Sequence, residues 1–145
     1  MADFANYSGN RVVLIFAGIL VKGYADGSFL RMSPKSDGFT SRAGADSLVS
    51  HSRTNDPRWD VSFILEDSSS SNDPLSALYN ADLVAPNGAG VGELLVQDLN
   101  GRTLFTSEIA RIMRCSDVEF AKETGTREWK LEAIIPAGQG FAGGR

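Results

Sequence analysis

Any chemistry in this chain has to start from one histidine, one cysteine and 18 carboxylates. His51 lies between Ser50 and Ser52. A nucleophilic triad needs a base that reaches a separated serine and is itself oriented by a carboxylate. Adjacent side chains in an extended chain point to opposite faces, so neither neighbour can be that serine. No Gly-x-Ser-x-Gly elbow occurs either. His51 therefore reads as a polar loop residue. Cys115 follows Arg111 and Arg114 but has no partner histidine, and reads as a small half-buried side chain. A single cysteine forms no intrachain disulfide, and one His with one Cys makes no protein-only zinc site. The carboxylates could supply a glycosidase pair, but so many acids make some close pair inevitable. Glu66-Asp67 reads as the approach to a helix, and Glu128 and Glu132 as a solvated strand face. Trp59 and Trp129 could stack on sugar, yet both fall in phase with the apolar residues of their strands. The glycine-dense stretch 88–92 follows a helix and precedes a strand, the reverse of a dinucleotide loop. No catalytic, cofactor or metal residue emerges.

The elements that would carry these side chains are mostly strands. VVLIFAGILV at 12–21 is rich in Val, Ile and Leu without alternation. It reads as a strand covered on both faces, with Gly18 as a bulge or close approach. One core covers one face, and a second subunit is the expected cover for the other. This makes Ile15 and Phe16 interface candidates, one for the seam and one for the core. After Asp26-Gly27, SFLRM at 28–32 reads as the return strand. RWDVSFILE at 58–66 turns Trp59, Val61, Phe63 and Leu65 one way and Arg58, Asp60, Ser62 and Glu66 the other, with Ile64 the exception. Past the serines at 68–71, NDPLSALYNADL reads as a helix. Asp73 is the expected N-cap, Pro74 suits the first position, Leu75, Leu78, Tyr79 and Leu83 form the stripe, and Pro86, Asn87 and Gly88 close it. ELLVQDL and RTLFTSEI flank Asn100-Gly101, a type I′ hairpin signal. VEFAK at 118–122 and REWKLEAII at 127–135 suggest a second hairpin, and the tail from 137 to 145 reads as loose. Together these predict one mainly β domain over 1–145, an antiparallel barrel or sandwich with one flanking helix.

The composition narrows the partners. A net charge of −4 is a poor footprint for gripping duplex nucleic acid. The longest apolar run has ten residues, against about 20 for a membrane helix. It also lacks the flanks of a secretory signal. Asn6-Tyr7-Ser8 fits the glycosylation pattern only by chance under that reading, and folding in a reducing cytoplasm is expected.

The stretch from 33 to 57 has no regular pattern. Loops longer than about 12–15 residues are uncommon in compact domains and are usually functional or disordered. It is expected to be an inter-subunit loop, mobile in the monomer, with Phe39, Leu48 and Val49 as anchors and Arg42, Asp46, Arg53 and Asp56 as charged rim partners.

The order of motifs is more specific than any one of them. YADGSFLRM is followed by FTSRAGADSLVSHSRTNDPRWDVSFIL, then EDSSSSNDPLSALYNADL, GVGELLVQDLNGRTLF and REWKLEAI. Over roughly 10–136 this resembles the tail-tube proteins of contractile-tailed bacteriophages. The GADS stretch leading to SSNDPLS carries most of the likeness, and QDLNG comes next. The resemblance implies a β-barrel or sandwich with a helix on its flank and no catalytic residues or cofactors. It implies six copies in a ring whose strands join into an inner barrel, and rings stacked into a tube that DNA traverses. The implied partners are the protein itself, tail sheath, baseplate and tape-measure proteins, within the virion. A tailocin or contractile injection machine would use a related tube. Lumen candidates are Asp60, Ser62 and Glu66, or alternatively Glu128, Lys130 and Glu132, because alternation alone does not say which sheet face turns inward. A β-sandwich sugar binder and a small carboxylate hydrolase stand as the competing classes, each distinguished by mass in solution and by acid-to-alanine variants.

Overall fold

The computed structural model describes residues 12–144 except 28, 85–87 and 89. The chain runs Val12–Phe16 (β1), Ile19–Leu20 (β2), Leu30–Pro34 (β3), Phe39–Ala43 (β4), Val49–Arg53 (β5), Arg58–Glu66 (β6), Asn72–Val84 (α1), Gly92–Asp98 (β7), Leu104–Arg114 (β8), Thr126–Ile134 (β9) and Gly140–Phe141 (β10). The main sheet has the order β2-β1-β7-β8-β9-β6-β3, with β10 added to β8. Strands β4 and β5 form a separate two-stranded sheet, and all these pairings are antiparallel. This is the mainly β fold with one helix that the alternating strands predicted.

The eleven-residue β8 joins the two halves of the sheet. Its first half pairs with β7 and its second with β9, with register shifts near Leu94 and Ile112. Ser107 stands at the first shift: its Oγ donates to the Ile134 carbonyl at 2.6 Å and accepts from the Ile109 N–H at 3.2 Å. A bulge of this kind bends a strand and increases its twist. Leu14, Phe16, Leu94, Val96 and Phe105 from one half thereby share a core with Val61, Phe63, Leu65, Trp129 and Leu131 from the other. Trp59 meets Phe105 at a ring-centroid distance of 5.0 Å.

Several local expectations change. Residues 12–21 form a tight hairpin, not one strand: Ala17 and Gly18 have φ of 52° and 81°, the positive pair that a two-residue loop demands. A Cβ on Gly92 would lie 2.5 Å from the Ala17 Cβ, so this turn explains a glycine in the 88–92 run. The strand at 30–34 pairs with β6, not with β1. The helix starts at Asn72, and the Ser71 carbonyl accepts from the Leu75 N–H, so Ser71 rather than Asp73 caps it. Leu75 is buried and Leu78 and Tyr79 pack on the core, but Leu83 is exposed. The β7–β8 connection is wider than a type I′ turn: Asp98 N–H reaches Thr103 O, and neither Asn100 nor Gly101 has positive φ. Residues 118–122 are not a strand, and β9 pairs with β8 and β6. The tail is held: β10 pairs with β8, and Thr103 Oγ1 donates to the Gly143 carbonyl at 2.8 Å. Asn6-Tyr7-Ser8, Pro86 and Asn87 lie outside the described residues.

Asn72 was missed by sequence reasoning. Its Oδ1 accepts from the buried Trp129 Nε1–H at 3.0 Å, and its Nδ2 donates to the Glu66 carbonyl at 3.1 Å. It ties the helix start to the end of β6 and to the core tryptophan. In sequence it is one polar residue at the edge of a serine run.

Candidate functional site

The two lumen candidate sets belong to one surface. Strands β6 and β9 are neighbours, and their register places Asp60 opposite Glu132 and Ser62 opposite Lys130, with Glu66 opposite Thr126 and Glu128 opposite Ile64. The face continues through Arg31 and Ser33 of β3 and Arg111 and Arg114 of β8. The alternate residues Val61, Phe63, Leu65, Trp129, Leu131 and Ala133 are buried behind it. Period-two alternation on adjacent antiparallel strands therefore gives one polar sheet face from what the sequence left as alternatives.

That face is not an acidic concentrate. Arg31, Arg58, Arg111, Arg114 and Lys130 share it with Asp60, Glu66, Glu128 and Glu132. Many of its charges are paired. Lys35 Nζ lies 2.7 Å from Asp60 Oδ1 and 3.6 Å from Glu132 Oε2. The Asp60 hydrogen bond is the main reason the lysine is held above its ordinary value. Arg111 reaches Asp82 of α1 at 2.9 Å, and Arg114 reaches Asp117 at 3.3 Å.

The second surface is the β4–β5 hairpin. The stretch expected to be irregular is paired from Phe39 opposite Arg53 to Ala43 opposite Val49, with Ser47 at φ 66° in its tip. Every residue of both strands is exposed. Phe39, Leu48 and Val49 are 68%, 70% and 57% exposed. The register puts Phe39, Ser41, Ala43, Val49, His51 and Arg53 on one face, and Thr40, Arg42, Ser50 and Ser52 on the other. Arg42, Asp46 and Arg53 are exposed as well. A lone two-stranded hairpin is marginal in water.

Two interface candidates are corrected. Phe16 is fully buried in the subunit's own core, whereas Ile15 is half-exposed opposite Leu95. Of this pair only Ile15 offers its side chain outward. Asp56 is not a free rim charge: its carboxylate takes Arg58 Nε and Nη2 at 2.8 Å each and the Ser36 hydroxyl at 2.8 Å. The Arg58 hydrogen bonds, aided by Ser36, hold Asp56 far below the ordinary carboxylate range. This clamp fastens the base of the hairpin where it leaves β3 and enters β6.

Trp129 is fully buried, and Trp59 is half-buried on the wall of a cleft of about 720 Å³ beside Met32, Val96 and Phe105. His51 sits on the exposed hairpin opposite Ser41. Among the described residues no group of three or more His, Cys, Asp or Glu is placed to hold a metal ion.

No protein-family model matches the chain. It is similar to structural protein ORF10 of Pseudomonas phage KPP10, with 30% identity over 133 residues that cover 88% of this chain and 77% of the relative. The likeness covers most of the chain's length, and the chain belongs to the family of this phage structural protein.

Proposed function

We propose that the protein is the tube subunit of a contractile phage tail. Six copies form a ring, rings stack into the inner tube, and DNA passes down the lumen without specific binding. The observation that carries this reading is the pair of open sheet edges flanking the polar face. Among the described residues, β3 and the β1–β2 hairpin end the sheet. Open edges invite pairing with another chain unless they are blunted or covered, and a closed ring of subunits covers both at once. Strand β3 ends in Pro34, which is tolerated only at an edge or the end of a strand.

The polar face from Asp60 to Glu132 is the proposed lumen wall. Its near balance of charge, with Arg111 and Arg114 already engaged by carboxylates, leaves little to neutralise phosphates. Tight DNA binding needs that neutralisation. Ile15 marks the proposed seam within a ring, and the exposed hairpin the contact that orders on stacking. Sheath, baseplate and tape-measure proteins are the proposed neighbours, and the virion tail the location. A tailocin or injection-machine tube would share every one of these features. The sugar-binding alternative loses one of its platforms, because Trp129 lies inside the core.

Negative-stain electron microscopy of the purified protein, with light scattering, tests the proposal. Rings or hollow filaments are expected. Monomers at high concentration, or a tube map in which another sheet face lines the lumen, would overturn it.

A further inference from the structure

Two exposed apolar clusters lie at opposite ends of the same strands. The hairpin leaves the sheet where Pro34 ends β3 and Arg58 begins β6, and Arg58 stands opposite Ile134. The connection 115–125 leaves it at the far end, between Arg114 and Thr126, where Thr126 stands opposite Glu66. The nine residues of β6 separate the two ends, about 27 Å at ~3.4 Å per residue. Phe39, Leu48 and Val49 stand out at one end, and Val118 and Phe120, 55% and 90% exposed, at the other. The charges are complementary. Residues 39–53 carry Arg42 and Arg53 against Asp46, whereas 115–125 carry Glu119 and Glu123 against Lys122, with Asp117 engaged by Arg114.

We infer that the hairpin of one copy docks on the 115–125 segment of a copy in the next ring, Phe39 and Val49 packing against Val118 and Phe120. This rests on the tube reading and adds its polarity. A contact between two different patches is heterologous and does not close on itself, so it propagates as an open filament. Hairpin against hairpin would be isologous and would stop at two rings. The charges of opposite sign set the register and reject the inverted arrangement.

The test uses full-length protein with Cys115→Ser. Ser41→Cys lies on the Phe39–Val49 face of the hairpin, and Glu119→Cys lies beside Phe120. Assembled protein carrying both changes, oxidised with diamide, should give a ladder of disulfide-linked multimers, while each single change alone should give monomers. Tubes that yield no ladder, or hairpin cysteines that link to each other, would overturn the inference and leave the tube reading intact. Failure of the unmodified protein to assemble would overturn both. As a second measurement, Glu119→Lys with Glu123→Lys should abolish tubes, and adding Arg53→Glu, on the docking face of the hairpin, should restore them; tubes that survive the lysine changes count against the docking. No restoration counts against the docking.

Discussion

Asp60 and Glu132 face each other across β6 and β9, two like charges in directly opposed positions, with the Lys35 ammonium 2.7 Å from one and 3.6 Å from the other. Opposed like charges destabilise a strand pair, so the lysine is what lets both carboxylates sit there. Lys35→Met should lower the thermal midpoint slightly, and the deficit should shrink in high salt, which screens the exposed carboxylates from each other. Equal midpoints at low salt would show that the lysine is not needed.

The Asp56 clamp sets a pH dependence. Its native carboxyl lies well below the ordinary 3.8 because Arg58 and Ser36 bond the charged form. A group lowered in the folded state stabilises above its unfolded value and loses that contribution as pH falls through the folded one. Asp56→Asn should therefore be less stable than the parent from neutral pH down to about 4, and the gap should narrow below that. Denaturant melts at several pH values check this, and a gap that widens in acid contradicts the clamp.

Asn72 holds the one polar handle of Trp129. Asn72→Ala leaves a buried indole N–H without its partner and should cost about 1–3 kcal/mol. Urea unfolding measures it, and near-ultraviolet dichroism of the tryptophan should change with it. A neutral effect would remove Asn72 from the packing account.

Ile15 and Phe16 should separate folding from assembly. Phe16→Ala opens the core and should cost about 3–5 kcal/mol, so the subunit itself is weakened. Ile15→Lys, on the outward face, should fold with a parent-like midpoint yet fail to form rings by light scattering. Two variants that behave alike would mean that the outward face of β1 is no seam.

Replacing 40–54 with a short Gly-Ser linker removes the hairpin but leaves the Asp56–Arg58 clamp in place. The sheet should fold and long tubes should be lost. Tubes of normal length from this variant would mean that the exposed hairpin plays no part in stacking.

The sequence alone determined the parts whose signal is local. The alternation of 58–66 and of 127–135 named the buried and polar residues of β6 and β9, because a strand's side chains alternate whatever its neighbours are. The helix showed in the spacing of Leu75, Leu78 and Tyr79 and in Pro74 near its start, though not in its cap or in Leu83. What lay beyond reach was which strand meets which. Strand pairing joins residues far apart in the chain, so nothing within 58–66 says that Asp60 will stand beside Glu132, and two candidate sets became one face only in the tertiary structure. The same holds for residues 39–53, whose polar strands lack the apolar rhythm that burial imposes; only their backbone pairing reveals a hairpin. Phe16 and Ile15 look equivalent in a run of apolar residues, and the pairing of β1 with β7 decides that one is core and the other is surface.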